Sequence, residues 1–324
     1  MKLQIQVITT PLRAAFSISR GTKTEAKTVR VTLTDDGVEG RGECVPYPRY
    51  GESVESVAEQ IEALRQEIEA GRTRDQLQRS MPAGAARCAI DCALWDLEAK
   101  QTGRGVWQLA RLHQPLPIET AMTVTLDTPE AMGRAALECA GSLLKLKLGS
   151  DDDLARLKSV HLARPDARLI LDGNEGLDPK TFPDLAADAQ RFGAVLIEQP
   201  FPAGDDDALL DYSGPVPICA DESAHTSADI DVLQKRYQLV NIKLDKTGGL
   251  TEAIMMRQKA LEANMGYMVG CMVAGSISMA PAVLLGQRAN FVDVDGPTWL
   301  AEDVEHGLRF EGGNVYPPTA ALWG

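Results

Sequence analysis

Beyond about Ile118 the chain repeats one pattern. A short, largely apolar run ends in a polar or charged residue and is followed by a stretch with apolar residues at three- and four-residue steps. The runs are 120–125, 143–148, 168–172, 195–199, 217–221, 239–244, 267–272 and 291–295, and they begin every 22 to 28 residues. That is the repeat of a strand with its covering helix, and eight such units close a parallel barrel. Upstream the pattern differs. Segments 3–9, 28–34 and 37–44 alternate like strands, the last two joined by the hairpin signal Asp35-Asp36-Gly37. Val54, Val57, Ala58, Ile61, Leu64 and Ile68 then recur at helical spacing behind Ser53, a suitable N-cap, and an Ala- and Leu-rich helix over 85–100 ends near Gly103. The expected architecture is α/β: a modified (β/α)8-type TIM barrel over 113–305, with an α+β capping domain over 1–112. The tail, about 306–324, completes the cap.

Bulk properties narrow the function. Hydrophobic residues at 44% and charged residues at 24% allow a sizeable core, and a net charge of −13 lacks the basic field that a nucleic acid or an anionic membrane requires. The first residues alternate rather than forming the apolar block of a signal peptide, and no apolar run approaches the roughly 20 residues needed to span a bilayer. The six cysteines show no paired spacing and suit reduced, buried thiols in the cytoplasm. This picture fits a small-molecule enzyme and is compatible with a homo-oligomer.

The chemistry falls where the apolar runs end. Active sites of such barrels stand at the C-terminal ends of the strands. Here those ends carry Lys145 and Lys147 on the second run, Asp172 on the third, Glu198 on the fourth, Asp221 on the fifth, Lys243 on the sixth, and Asp293 with Asp295 on the eighth. One strand-end Asp is often only the N-cap of the next helix, and one such Lys is often only solvated. An acid from each of three consecutive strands, flanked by lysines, is harder to obtain by capping. Three convergent carboxylates form a hard oxygen set suited to Mg²⁺, and without His the set disfavours zinc. Lys145 and Lys147 point the same way, and a neighbouring ammonium favours the neutral amine that a general base needs. Lys147 is therefore read as the base and Lys145 as its electrostatic tuner. Strands two and six lie across a ring of eight, so Lys147 and Lys243 should confront one carbon from both faces. Two such bases permit racemisation or epimerisation. Lys246 competes for the second role but lies past the strand, and is assigned to the rim.

Five motifs carry a resemblance: Leu144-Lys145-Leu146-Lys147, Leu171-Asp172-Gly173-Asn174, Ile197-Glu198-Gln199-Pro200, Ala220-Asp221-Glu222-Ser223 and Asn241-Ile242-Lys243-Leu244. In them the chain resembles the muconate-lactonising subgroup of the enolase superfamily. Phe291-Val292-Asp293-Val294-Asp295-Gly296-Pro297 and, less specifically, Pro46-Tyr47-Pro48-Arg49-Tyr50-Gly51-Glu52-Ser53 resemble the dipeptide epimerases, those acting on L-Ala-D/L-Glu in particular. The resemblance implies a dipeptide epimerised at its glutamyl Cα during murein-peptide recycling, with Mg²⁺ as cofactor. It also implies an ammonium site at Asp293 and Asp295, and substrate contacts from Thr123, Cys271 and Val273. The glutamyl side chain then needs a cation from the capping loops. Arg20, Lys23 and Arg49 are the candidates, and the bidentate geometry of arginine favours Arg20.

Other readings stay open at this point. The same subgroup includes o-succinylbenzoate synthesis, cycloisomerisation and N-acylamino acid racemisation, whose substrates bring no free ammonium to the aspartate pair. Lys243 could serve a Schiff-base aldolase, and a non-catalytic barrel could bind without turnover. Gly248-Gly249 ahead of Leu250 could cradle a phosphate at a helix N-terminus, although a simple tight turn accounts for it.

Overall fold

The structure, a computed structural model, describes residues 1–149 and 152–324. Strands β1 (Lys2–Ile18), β2 (Gly21–Asp35) and β3 (Val38–Cys44) form an antiparallel sheet in chain order. The β2–β3 turn is the expected one, with Asp36 at φ 49° and Gly37 at φ 80°. The first two strands are much longer than the sequence segments suggest. They pair from Lys2↔Thr34 to Ile18↔Gly21, with a register shift between Pro11 and Phe16. Pro11 has no N–H to give a ladder and sits where the ladder slips, so the hairpin continues beyond it as a twisted ribbon.

Helices α1 (Val54–Ala63) and α2 (Arg65–Glu69) divide the single expected helix at Leu64. Ser53 caps α1 in a reciprocal box with Ser56. Helix α3 (Arg74–Ser80) is followed by α4 (Ala85–Thr102), which ends at left-handed Gly103, and by α5 (Val106–Leu109). Helix α4 lies directly on β3. A Cβ at Gly42 would come within 2.0 Å of the Ala89 carbonyl oxygen, so only glycine permits the approach.

A small strand, β4 (Ile118–Glu119), precedes the barrel strands: β5 (Met122–Val124), β6 (Leu143–Lys147), β7 (Arg168–Asp172), β8 (Ala194–Glu198), β9 (Ile218–Ala220), β10 (Leu239–Ile242), β11 (Gly266–Val269) and β12 (Phe291–Val292). Among the described residues these eight form one sheet in chain order, parallel throughout. The Ala121 N–H donating to the Val292 carbonyl at 2.8 Å closes the seam. The outer layer includes α6 (Pro129–Glu138), α7 (Asp153–Ala163), α8 (Phe182–Arg191), the short α9 (Ile230–Leu233) and α10 (Leu244–Thr247), then α11 (Leu250–Glu262) and α12 (Ser276–Leu285). After β8, Pro202, Gly204 and a run of aspartates prevent a full helix, and among the described residues only a 3₁₀ turn at Asp207–Leu209 stands there.

Side-chain alternation puts two layers inside the barrel. Ala121, Leu143, Ile170, Leu196, Cys219, Leu239 and Met268 form an apolar floor of their own. Two residues further along each strand, on the same face, come Lys145, Asp172, Glu198, Asp221 and Asn241. The period-two pattern that fills the floor therefore aims the charged residues into the mouth. Strands β13 (Phe310–Glu311) and β14 (Asn314–Val315) pair with β4, and the chain end reaches the first module, where Trp323 Nε1 donates to the Arg41 carbonyl at 2.8 Å. Among the described residues no helix is long and apolar enough to cross a membrane, and the six cysteines are free.

Candidate active site

The mouth opens into a cavity of about 220 Å³, walled by the strand ends and by the far tip of the β1–β2 hairpin. Lys147 and Lys243 both line it, as do Asp221, Glu222, Asn174, Cys271, Met272 and Val273; Phe16, Ile18, Arg20, Lys23, Tyr47 and Tyr50 come from the first module. The two lysines stand on β6 and just after β10, four strands apart, as expected from the spacing.

Beneath the cavity lies a buried charge lattice. Lys145, 1% exposed, places its ammonium 2.7 Å from Glu198, 2.8 Å from Asp293 and 3.1 Å from Asp172. Lys147 donates to Asp172 at 2.6 Å, and Lys243 to Asp221 at 2.7 Å. Lys246 is not on the rim. The turn of α10 folds it inward to 2% exposure, and its ammonium lies 2.7 Å from Asp221 Oδ1. Asn241, two residues before Lys243 on the same face, donates to Glu198 Oε1 at 2.8 Å.

The electrostatics follow from this arrangement. Burial pushes the Asp172 carboxyl up, but the Lys147 and Lys145 ammoniums outweigh it and hold the group below the ordinary carboxylate range. Asp221 is held low in the same way, by Lys243, Lys246 and Lys145 against burial. Burial disfavours charge on Lys145 and Lys243, yet their carboxylate neighbours prevail and both are raised. Repulsion between ammoniums does act, with Lys145 lowering Lys243, but the Asp221 carboxylate at 2.7 Å outweighs it. Glu198 goes the other way, pushed up to about 7 by burial and by the charges of Asp172 and Asp221.

These acids were expected to converge on one point. As they stand the convergence is partial: Lys145 bridges Asp172 and Glu198, while Asp221 gives its oxygens to Lys243 and Lys246. Among the described residues no three acidic, His or Cys side chains already surround a common centre at ligand distance. The chemistry of the donors nonetheless fits a hard divalent cation. All three carboxylates are buried and repel one another, and the Oε2 atom of Glu198 is met by the Lys145 ammonium, 2.7 Å away, where a cation already stands against the acid set.

The remaining expected residues divide. Cys271 and Val273 line the cavity. Asp293 and Asp295 are each 4% exposed and lie below the lining. Asp293 accepts from Lys145 through Oδ2 and leaves Oδ1 without a hydrogen-bond partner among the described residues. Asp295 accepts the Thr123 N–H at 2.7 Å and Trp299 Nε1 at 3.3 Å, and is pushed up to about 6 by burial and by Asp293. Arg20 reaches the mouth but is committed there, donating to Glu222 and to the Asn174 carbonyl, both at 2.7 Å. Arg49 is paired with Glu175 through two bonds. Lys23 lies over the Tyr47 ring, 4.9 Å from its centroid, and has no ion pair among the described residues.

Glu222, Asn174, Asn241, Tyr47 and Tyr50 stand within the quoted motifs, but the sequence assigned none of them a place in the site. Their signal was adjacency: Glu222 and Asn174 flank motif acids, Asn241 shares the face of Lys243, and the tyrosines fall in the capping segment. At the strand ends Asn174, Glu175 and Gln199 adopt left-handed φ values of 42°, 68° and 33°, bending the backbone over the mouth. Gln199 in turn bonds the N–H groups of Asp221 and Ser223, fixing the exit of β9. The N-terminus of α11, where Gly248-Gly249 might have received an anion, already holds one of the chain's own. Asp91 of α4 accepts the Thr251 N–H at 3.0 Å.

Comparison with known proteins agrees with this geometry. Residues 2–110 match the Mandelate racemase / muconate lactonizing enzyme, N-terminal domain, and residues 130–321 match the family described as Enolase C-terminal domain-like. The chain is 44% identical to the L-Ala-D/L-Glu epimerase of Escherichia coli (strain K12), across 94% of this chain and 96% of that protein. It is 42% identical to the N-acetyl-D-glutamate racemase of a Pseudoalteromonas species, across 91% and 94%. A crystal structure of an enolase family member from Agrobacterium tumefaciens, described as homologous to dipeptide epimerases and holding sodium and L-Ala-L-Glu, is 48% identical and superposes with a TM-score of 0.97 over 99% of both chains. The chain belongs to the enolase superfamily, in its muconate-lactonising subgroup, and is an isomerase.

Proposed function

We propose that the enzyme interconverts L-Ala-D-Glu and L-Ala-L-Glu by moving a proton on and off the glutamyl Cα. The observation that carries this reading is that Lys147 and Lys243 line one cavity from opposite sides of the ring. Asp172, Glu198 and Asp221 would hold Mg²⁺, which when bound supplies the positive charge that acidifies a C–H beside a carboxylate. Lys147 takes the proton from one face while Lys243, held charged by Asp221, delivers one to the other; the reverse direction exchanges their roles. Lys145 stays charged among Glu198, Asp293 and Asp172 and offsets the negative charge that gathers beneath the reacting carbon. Asp293, with Oδ1 unengaged, and Asp295 are the acids for the dipeptide ammonium. For the glutamyl carboxylate, Lys23 replaces Arg20 as the better candidate, because Arg20 is already spanned by Glu222 and Asn174.

In this reading the dipeptide derives from murein peptides and the enzyme works in the cytoplasm. The test is incubation of each epimer with Mg²⁺ in D₂O while the Cα proton is followed by NMR. Loss of the proton signal with growth of the other epimer is expected, and silence with both epimers removes the proposal.

The Pseudoalteromonas relative favours a second reading, racemisation of an N-acylated glutamate. Such a substrate keeps the amide on the glutamyl nitrogen but lacks the alanyl ammonium, and so brings no cation of its own to Asp293 and Asp295. Exchange of N-acetylglutamate faster than of the dipeptide would select it.

A further inference from the structure

The two lysines differ in what holds their backbones. Lys147 ends a strand whose continuation is anchored in the barrel: the Leu148 N–H donates to the Asp172 carbonyl and the Gly149 N–H to Asp153 Oδ2, both at 2.9 Å. Lys243 leads directly into α10, and the Lys246 and Thr247 N–H groups donate back to its carbonyl at 3.0 Å. That turn is anchored in the capping module at both ends. Asp245, 6% exposed, accepts the Val45 N–H at 2.8 Å. Arg87 of α4 donates to the Thr247 carbonyl at 2.6 Å and to that of Gly248 at 3.2 Å, and Asp91 takes the Thr251 N–H. Val45 directly follows β3 and opens the segment that brings Tyr47 and Tyr50 to the cavity wall.

We infer that Asp245 is a positioning residue: through its bond to Val45 the capping module sets the backbone placement of Lys243, whereas the Lys147 backbone is held by the barrel and meets that module through the Phe16 ring, whose centroid lies 5.9 Å from its ammonium. This inference rests on the two-lysine reading above. Asp245 touches neither substrate nor the reacting atoms. It acts by fixing the turn that begins one residue after Lys243, with the Val45 N–H as the only donor it accepts among the described hydrogen bonds.

The consequence is an asymmetry that a purely structural role would not produce. Epimerisation needs both amines, so its rate falls in both directions together. Exchange of a substrate's own proton for deuterium needs only the amine on that face. Wild type, Lys147→Ala and Lys243→Ala are first used to assign each epimer's exchange to one lysine. In Asp245→Ala, exchange of the epimer served by Lys243 should fall about tenfold and inversion with it, since a displacement well under 1 Å has that effect. Exchange of the epimer served by Lys147 should stay within about twofold of wild type. Asp245→Asn keeps an acceptor for Val45 and should restore the lost exchange; Asp245→Leu fills the space without an acceptor and should behave as Asp245→Ala if the smaller side chain impairs folding. Equal loss on both faces, or no loss on either, overturns the inference while leaving the two-lysine reading in place. A wild-type enzyme that exchanges neither epimer overturns both.

Discussion

The barrel mouth and the hairpin that covers it solve opposite problems. At the mouth, Lys145, Lys147, Asp172, Glu198, Asp221 and Lys243 sit at strand ends above an apolar floor and each is paired with a counter-charge within about 3 Å, so their positions are fixed by the sheet ladder and by those pairs. Among the described residues the hairpin tip is supported by two strands only and by a single charged tether. It is carried on two strands beyond a register slip and is held by a few edge contacts: Phe16 meets Trp299 edge-on with centroids 5.0 Å apart, the Leu126 N–H donates to the Ser17 carbonyl, and Arg20 ties down to Glu222 and Asn174. The difference teaches where chemistry and selectivity reside. In the proposed function, proton transfer, which tolerates little misplacement, is built on the barrel, and recognition of a side chain falls to a separately anchored arm.

The strongest way to break this division is to remove either amine. Lys147→Ala and Lys243→Ala should each lower epimerisation about 10³-fold, measured by NMR, while each keeps deuterium exchange of one epimer. Retained inversion in either variant would refute the two-base arrangement. Glu198→Gln should lower kcat about 10²-fold and abolish any rise in Tm on adding Mg²⁺, because it removes one charge from the buried acid set. On the hairpin, Lys23→Ala should lower kcat/KM for L-Ala-L-Glu about tenfold while leaving L-Ala-L-Ala nearly unaffected. If Arg20→Ala instead gives that selective loss, the tip has been read with the wrong cation.

Two stability measurements sharpen the contrast between modules. Burial and the charge of Glu52 push Asp245 up to about 7, against the Val45 N–H, so the folded state keeps a proton there that the unfolded chain releases near its ordinary value. The contribution of this group to stability is therefore greatest at low pH and declines as pH rises from about 4 to about 7. Asp245→Asn should escape that decline and gain on the order of 2 kcal/mol relative to wild type between pH 5 and pH 8, read from denaturant unfolding. Asp91→Ala, which strips the cap from α11 and one of the anchors near the turn after Lys243, should cost about 1 kcal/mol, read from the same unfolding.

The same division explains what the sequence disclosed. A strand-end charge within an apolar run is visible because the period of two is strict: Lys145, Lys147, Asp172 and Glu198 stand on the expected strands, and Asp221 and Lys243 stand one residue past theirs. Lys246 was misplaced because a four-residue turn reverses its direction, which no alternation rule records. The hairpin was cut short in the reading because Pro11 interrupts the strand signal and both faces of the ribbon are partly exposed, leaving no buried stripe to follow. Arg20 was chosen on the chemistry of its guanidinium; that Glu222 and Asn174 claim it depends on loops brought together from more than 150 residues away.

The length of β1 and β2 has a practical corollary. Because the ribbon is rooted in the first sheet and not in the barrel strands, the residues at its apex can be exchanged as a cassette, much as a lathe accepts a new tool without rebuilding the spindle. Transplanting apices from related isomerases onto this scaffold is therefore the smallest edit by which the catalyst could be redirected to a different side chain.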